Sequence, residues 1–159
     1  MEIYDSLLGA VCDEYDRVTL IKKSERGEVT LIRHRASGNR YIFRHFSGSS
    51  EVYRKLLTVS CPNLPQIMEV GEKEGKTALL EEYVQGDTLG EILQGGLLTA
   101  AQAKQITRQL CMALWVLHSL GVVHRDVKPD NVIIRGTEAV LIDFDASRIY
   151  KNENREDTQ

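Results

Sequence analysis

Apolar positions in the first half of the chain follow one helical pattern and then several strand-like patterns. Residues 2–12 place Leu7 and Val11 at helical spacing, which predicts a short amphipathic helix. Beyond it, apolar runs alternate with turn residues and predict five antiparallel strands, which are residues 15–22, 29–32, 40–46, 66–70 and 77–83. One further helix, residues 49–59, is predicted between the third and fourth strands.

The second half of the chain is mainly helical in its periodicity. Residues 89–93 and 99–121 predict two helices, the second of which begins with a capping-box signature. This long helix is apolar on every side across residues 110–117, so it needs cover on every side. A small hairpin follows at residues 132–134 and 139–142. The whole pattern predicts an α+β fold, in which a sheet precedes a helical part.

Length and composition describe an ordinary globular chain. With 159 residues, 42% of them hydrophobic and 27% charged, the sequence can form one compact domain with its own core. A net charge of −3 without a basic block argues against nucleic-acid binding. Three widely spaced cysteines do not form the pattern of a disulfide or zinc framework. No secretory leader and no membrane segment is evident, so we expect a cytoplasmic location.

Candidate chemistry is concentrated between His124 and Asn131, in a stretch that lies between two apolar runs. The carboxylate of Asp126, the ammonium of Lys128 and the amide of Asn131 fall within six residues, and Asp143 follows twelve residues after Asn131. Phosphoryl transfer needs a base that orients a hydroxyl, a cation at the transferring phosphate, and oxygen ligands for Mg²⁺. The alternative is a polar turn between two strands that contains Asp and Asn by coincidence.

The eight residues H-R-D-V-K-P-D-N resemble the catalytic loop of the eukaryotic-type Ser/Thr protein kinases. The D-F-D of residues 143–145 resembles the D-F-G motif of that family, with Asp in place of Gly. The resemblance implies that Asp126 is the catalytic base and that Lys128 neutralises the γ-phosphate of ATP. It also implies that Asn131 and Asp143 hold Mg²⁺.

The hairpin of the first two strands takes the place of the family's phosphate-covering G-x-G-x-x-G-x-V. The matching residues are Lys22, Ser24, Gly27 and Val29, so that only the third glycine is present. Without the first two glycines the backbone approaches the phosphates less easily, and Lys22 or Lys23 would have to compensate electrostatically.

The third strand carries Arg44 where the family has its catalytic lysine. Arginine keeps the charge but has a broader, planar head, and an outward-facing strand arginine is the alternative. Glu51 is the best match to the helix glutamate that pairs with this lysine, although the helix dipole alone also favours a glutamate there. Glu81 falls at the rear of the adenine pocket, where a buried carboxylate needs a partner. We therefore predict that Arg44, if it faces the cleft, contacts Glu51 or Glu81.

The segment of residues 82–89 resembles the hinge between the two lobes of a protein kinase. By this resemblance the backbone of Glu82 and Val84 would hydrogen-bond adenine, and Thr88 would meet the ribose. The resemblance therefore implies ATP and Mg²⁺ as cofactors.

The resemblance covers nearly the entire chain but only the first part of the kinase fold. It implies an incomplete domain, with the N-lobe and hinge at about residues 1–84 and a partial C-lobe at about residues 85–159. The A-P-E that anchors the family's activation segment is absent, and residues 151–159 are predicted to be a mobile polar loop. Since the later helices are absent too, the apolar face from Met112 to Val116 is predicted to be exposed and to mediate self-association or partner binding.

Two functions remain open. The first is an ATP-dependent protein Ser/Thr kinase, or the N-terminal portion of one, that phosphorylates a hydroxyl of a protein substrate. The Lys-Pro pair after Asp126 separates it from the small-molecule phosphotransferases of the same superfold. The alternative is a catalytically impaired, pseudokinase-like nucleotide-binding or scaffold domain. The incomplete glycine loop, Arg44 and Asp145 favour this alternative.

Overall fold

The computed structural model describes residues 2–150, and its first part is built on a five-stranded antiparallel sheet in the order β1-β2-β3-β5-β4. The strands are β1 (Tyr15–Lys23), β2 (Gly27–His34), β3 (Arg40–Ser47), β4 (Ile67–Lys73) and β5 (Lys76–Glu82). Helix α1 (Ile3–Glu14) precedes the sheet, and helix α2 (Glu51–Leu56) connects β3 to β4. The five predicted strands and their antiparallel arrangement are confirmed.

The second part is formed by helices and short strands. Helix α3 (Leu89–Gln94) and helix α4 (Ala100–Ser119) lie on either side of a connecting loop. Four of the short strands are β6 (Asp87–Thr88), β7 (Val122–Val123), β8 (Val132–Arg135) and β9 (Glu138–Leu141), and the fifth is β10 (Arg148–Ile149). They pair as a three-stranded β6-β8-β9 sheet and a two-stranded β7-β10 ladder. The two-residue strands β6, β7 and β10 were not predicted, because two residues carry no periodicity.

Helix α1 covers one face of the five-stranded sheet. It buries Tyr4, Leu7 and Val11 against side chains of β2, β3 and β5, which are Ile32, Phe43, Ala78 and Leu80. Gly71 of β4 lies directly under the first turn of α1, where a Cβ would overlap the backbone of Tyr4. The Tyr4 hydroxyl lies 2.7 Å from Nε2 of His45 on β3. These contacts make the helix part of the sheet's core.

A second core joins the other face of the sheet to the helical part. It includes Tyr53 and Leu56 of α2, Leu79 of β5, Leu117 of α4 and Phe144. Burial on α4 is one-sided, because Ala113 and Leu117 are fully buried whereas Met112 is 51% and Trp115 69% exposed. The predicted apolar surface of this helix is therefore exposed within the described part of the chain.

The predicted helix of residues 49–59 is too long. Helix α2 begins at Glu51 with Ser50 at the N-cap position, although the Ser50 hydroxyl bonds the Glu72 carboxylate and forms no cap hydrogen bond. It ends at Leu56, and the β-branched Thr58 and Val59 that follow favour helix poorly. The prediction for residues 151–159 lies outside the described residues. No helix within residues 2–150 has the length and apolar character needed to cross a membrane.

Candidate active site

His124 fixes the loop that carries the candidate catalytic residues. Its ring is buried, and its Nε2 lies 2.9 Å from the carbonyl oxygen of Ile142 at the end of the β8–β9 hairpin. Its Nδ1 accepts a hydrogen bond from the backbone N–H of Asp126 at 3.2 Å. Nδ1 therefore carries no proton, and Nε2 is the donor to Ile142. Between the two anchored residues, Arg125 adopts a left-handed backbone with φ of 71°, which turns Asp126 toward the cleft.

Asp126, Lys128 and Asn131 converge on one point of this loop. The Asn131 side-chain nitrogen donates to the Asp126 carbonyl oxygen at 2.9 Å and to Asp126 Oδ2 at 3.0 Å. Lys128 Nζ lies 3.7 Å from the same Oδ2. The amide holds the carboxylate in one orientation, while a cation stands beside it. Oδ1 of Asp126 has no hydrogen-bond partner among residues 2–150 and remains available to a hydroxyl.

Asp143 is placed beside this loop by a backbone contact. The N–H of Ile142 donates to the carbonyl oxygen of Asn131 at 2.9 Å, which brings the two candidate metal ligands to neighbouring positions. Asp143 has a left-handed backbone with φ of 64°, and its Oδ1 accepts from the N–H of Asp145 at 3.1 Å. Phe144 turns away into the core, where its ring makes edge-to-face contacts with Tyr53 and His124.

Arg44 faces the interior and pairs with Glu81. Its Nε lies 2.6 Å from Glu81 Oε2, and the side chains are only 9% and 3% exposed. Burial opposes the charge on Arg44, but the Glu81 carboxylate outweighs it and raises the pKa of the guanidinium above its ordinary value. The predicted contact between Arg44 and Glu81 is therefore present, and the alternative of an outward-facing arginine is wrong.

The expected partnership of Arg44 with Glu51 is absent. Glu51 is the exposed first residue of α2 and forms no ion pair within the described residues. Tyr53, two residues later, is the α2 residue whose side chain faces the Arg44–Glu81 pair. Burial raises the pKa of the Tyr53 hydroxyl, which finds no hydrogen-bond partner among residues 2–150.

The β1–β2 hairpin brings Lys22 over the cleft. Its Nζ lies 3.3 Å from Asp145 Oδ2, and Arg44 Nη1 lies 4.0 Å from Asp145 Oδ1. Ser24 and Gly27 close the turn through reciprocal backbone hydrogen bonds of 2.9 and 3.2 Å. Gly27 also lets β3 pass closely, because a Cβ at this position would overlap the backbone of His45. The remaining matched residue, Val29, lines the same small cavity as Lys22.

The hinge residues have two different environments. Glu82 directs its carboxylate to Arg135, whose Nη1 lies 2.5 Å away, and to the N–H of Gln66 at 2.9 Å. Val84 is buried, and its backbone N–H and C=O form no hydrogen bond with the rest of the described chain. Thr88 is the N-cap of α3 and accepts from the N–H of Glu91 at 3.1 Å. Its hydroxyl oxygen therefore caps this helix.

Sequence reasoning identified the acidic, amide and cationic residues of the loop but missed two features of the cleft. One is Tyr53 beside the Arg44–Glu81 pair. The other is the contact between Lys22 and Asp145, which are 123 residues apart and share no local pattern. The only signal in the sequence was Asp145 itself, a carboxylate at a position where the family has glycine.

Comparison with known proteins identifies the family. A family model described as the protein kinase domain matches residues 17–159, which is most of the chain. The chain belongs to the protein kinase family. This kinase chain is 35% identical over 102 residues to the serine/threonine-protein kinase pkn2 of Myxococcus xanthus, a match that covers 62% of the chain and 12% of the relative. It is 38% identical over 85 residues to the serine/threonine-protein kinase D of Synechocystis, covering 52% of the chain and 16% of the relative.

A longer match is to the testis-specific serine/threonine-protein kinase 3 of Mus musculus. It is 30% identical over 141 residues and covers 87% of the chain and 52% of the relative. A crystal structure of Rad53 residues 1–466 in complex with AMP-PNP matches with a TM-score of 0.71 at 22% identity, covering 84% of the chain and 39% of that structure. The predicted protein-kinase-like α+β fold is thereby confirmed. The kinase chain spans about half or less of the length of these relatives.

Proposed function

We propose that this kinase chain, as part of a catalytic domain, transfers the γ-phosphate of ATP to a serine or threonine hydroxyl of a protein substrate. The observation that carries the proposal is the convergence of Asp126, Lys128 and Asn131, with Asp143 joined to them through the Ile142–Asn131 hydrogen bond. The names of the relatives support the Ser/Thr class. The division into an N-lobe to about residue 84 and a partial C-lobe beyond it belongs to the same proposal.

In this proposal Asp126 receives the substrate hydroxyl. The free Oδ1 accepts its proton as the hydroxyl oxygen bonds to the γ-phosphorus, while the bond between that phosphorus and the β–γ bridging oxygen breaks. Asn131 keeps the carboxylate in place, and Lys128 lies where it can neutralise the charge of the transferring group. In this proposal the loop therefore contributes to catalysis by orienting the Asp126 carboxylate and by placing a positive charge near the transferring phosphate.

The side chains of Asn131 and Asp143 fit Mg²⁺, because each retains an oxygen without a partner among residues 2–150. Asn131 uses its nitrogen for Asp126, which leaves Oδ1 free, and Asp143 uses Oδ1 for Asp145, which leaves Oδ2 free. Magnesium prefers such hard oxygen ligands, keeps part of its water shell and neutralises phosphate charge when bound. A protein usually supplies only one or two side-chain ligands to Mg²⁺, and water and phosphate oxygens fill the other positions. Within the described residues, no group of three or more His, Cys, Asp or Glu side chains is arranged to hold a metal ion.

For the nucleotide, we propose that the backbone of Val84 and the carbonyl group of Glu82 hold the adenine, because the N–H of Glu82 already donates to the Gln66 carbonyl oxygen at 2.8 Å. The buried, unbonded backbone of Val84 supports this assignment. Thr88 would meet the ribose in this proposal, although its oxygen already caps α3. The hairpin residues Lys22, Ser24, Gly27 and Val29 would cover the phosphates. Arg44 contributes less than a kinase lysine would, since Glu81 already neutralises it.

Magnesium-dependent ATP binding tests this proposal. In calorimetry, ATP should bind the chain more tightly with Mg²⁺ than with EDTA, and Asp143→Asn should remove most of that difference. Asparagine tolerates the left-handed backbone of this position, so the change removes charge with little strain. Asp13→Asn, an exposed site on α1, is the matched control. Equal ATP affinity with Mg²⁺ and EDTA in both the native chain and Asp143→Asn would contradict the site.

The second candidate is an impaired, pseudokinase-like nucleotide-binding domain. It is favoured by Arg44, whose guanidinium is committed to Glu81, and by Asp145 in the cleft. A phosphotransfer assay on the full-length protein separates the two functions. Transfer that is lost in Asp126→Asn supports catalysis, whereas nucleotide binding with no transfer supports the second candidate.

We further propose that the exposed face between Met112 and Val116 binds a second copy of the chain or a protein partner. Met112 and Trp115 are more than half exposed, and burying large apolar side chains of this kind is worth roughly 1.5–3 kcal/mol each.

We also assign the chain to a reducing compartment such as the cytoplasm. Its three cysteines are free thiols, which are typical of that environment.

A further inference from the structure

The cleft beneath the β1–β2 hairpin contains two cations and two carboxylates in a chain of contacts. Lys22 Nζ is 3.3 Å from Asp145 Oδ2, and Asp145 Oδ1 is 4.0 Å from Arg44 Nη1. The other side of the guanidinium is paired with Glu81 at 2.6 Å. These four charges sum to zero, so the two groups that would attract phosphate are already neutralised.

The space at this point is small. A cavity of about 30 Å³ remains under the hairpin, and Lys22, Gly27, Arg44 and Asp145 are among the residues that line it. Such a volume accommodates about one or two water molecules. The Asp145 carboxylate occupies the position between Lys22 and Arg44, so a phosphate group contacts both cations only if it takes that place.

We propose that Asp145 occupies an anion subsite formed by Lys22 and Arg44, and that the phosphates of a nucleotide must displace its carboxylate to bind there. Asp145 thus lowers the affinity for polyphosphates without changing the affinity for a nucleoside. The inference deepens the proposed ATP-binding function and rests on it for the identity of the natural ligand. The anion subsite itself depends only on the contacts above.

Asp145 is suited to leaving this position. Its side chain is 39% exposed and that of Lys22 is 57% exposed, and solvent-exposed ion pairs are weak. The segment around Asp145 is held in place by other residues. Phe144 is buried, and Ser147 donates to the carbonyl oxygen of His124 at 3.1 Å, so the segment does not depend on the Asp145 side chain. A triphosphate carries more charge than one carboxylate, so it competes favourably for two cations.

Calorimetry on the native chain and Asp145→Asn tests the inference, with EDTA present and with ATP, inorganic tripolyphosphate and adenosine as the probes. Asparagine keeps the size of the side chain and removes its charge. We expect Asp145→Asn to bind ATP and tripolyphosphate about three- to tenfold more tightly, which is the scale of one exposed ion pair plus the repulsion removed. Adenosine, which has no phosphate, should bind both proteins equally. Asp13→Asn should match the native chain with all three probes.

A second variant identifies the cations. Lys22→Met should lower the affinity for tripolyphosphate. The gain in affinity from Asp145→Asn should be smaller in the Lys22→Met background than in the native chain, because the cation that the phosphate would bind is absent. Thermal melting of each variant shows whether the fold is retained. A gain that is equal with and without Lys22 would overturn the assigned subsite.

Two outcomes separate this inference from the proposed function. If neither ATP nor adenosine binds, but tripolyphosphate binds Asp145→Asn more tightly, the proposed function fails and the anion subsite stands. If ATP and tripolyphosphate bind the native chain and Asp145→Asn equally, or if neither binds at all, the inference is overturned. A loss of affinity in Asp145→Asn when Mg²⁺ is present would also overturn it, because Asp145 would then be a metal ligand.

Discussion

Arg44 and Glu81 compensate for each other's charge inside the fold. A carboxylate as deeply buried as that of Glu81 needs a cation beside it. Here the planar guanidinium reaches across from β3 to β5 and meets Glu81 inside the core. Each partner compensates the buried charge of the other, so Arg44 keeps little net charge to offer elsewhere in the cleft.

Breaking this buried pair should destabilise the chain more than removing both partners. Arg44→Met or Glu81→Met alone should lower the free energy of unfolding by about 3–5 kcal/mol, because the remaining charge is buried without a partner. The double variant should lose much less, since no charge is then left in the core. Urea denaturation followed by far-UV circular dichroism measures the three values.

The exposed Arg17–Glu28 pair, 3.6 Å apart on the surface, supplies the control for that cycle. Arg17→Met should leave the urea midpoint almost unchanged. A double variant of Arg44 and Glu81 that is less stable than both single variants would show that the two side chains stabilise the core independently.

Among the elements, α1 is joined to the sheet through a titratable contact between Tyr4 and His45. Burial, aided by nearby Lys76, lowers the pKa of His45 below its ordinary value, whereas Glu28 acts weakly in the opposite direction. The unfolded chain therefore takes up a proton at His45 at higher pH than the folded chain does. Stability from this site is present above the ordinary histidine pKa of about 6.5 and is lost as the pH falls through the lowered folded value.

His45→Gln should therefore remove part of the decline in stability between neutral pH and about pH 5. Glutamine keeps a polar group opposite the Tyr4 hydroxyl and does not titrate. Urea denaturation at several pH values gives the comparison, and His118→Gln on the exposed side of α4 is the control. The prediction fails if the decline in His45→Gln is as steep as in the native chain.

Elements with a clear repeating pattern were predictable from the sequence, and those set by distant contacts were not. The five strands and α4 have periodic apolar positions, and the catalytic loop is recognisable because its residues are contiguous. The Arg44–Glu81 contact was predicted from the cost of an unpaired buried carboxylate, although 37 residues separate the partners. Helix α2 was predicted too long at its C-terminal end, because apolar residues continue past Leu56 in the sequence without continuing the helix.

At the scale of the whole molecule, α4 has one side packed against the core and one side exposed. Its inner side packs against β9, where Gln109 accepts the N–H of Ala139, while Met112 and Trp115 point outward. The described residues thus present an apolar surface on the helical part and a mostly polar cleft on the other side.

Trp115→Glu should shift the chain from a self-associated form to a monomer. Sedimentation velocity at tens of micromolar measures the change, because a charge at the centre of the face prevents its burial against a second copy. Leu97→Glu, at a residue that is 98% exposed before α4, should leave the distribution unchanged. A native chain that sediments as a monomer would exclude the second copy as the occupant and leave a different protein partner.

The close approach of α1 to Gly71 has a consequence for the evolution of the family. The helix requires glycine beneath its first turn, whereas a β4 strand without this cover is free to carry a larger side chain. In an alignment of related kinases, glycine at this one column should therefore accompany an amphipathic segment upstream of the first strand. We expect the two features to be gained and lost together, so that a single position on β4 would mark the members of the family whose sheet is covered by such a helix.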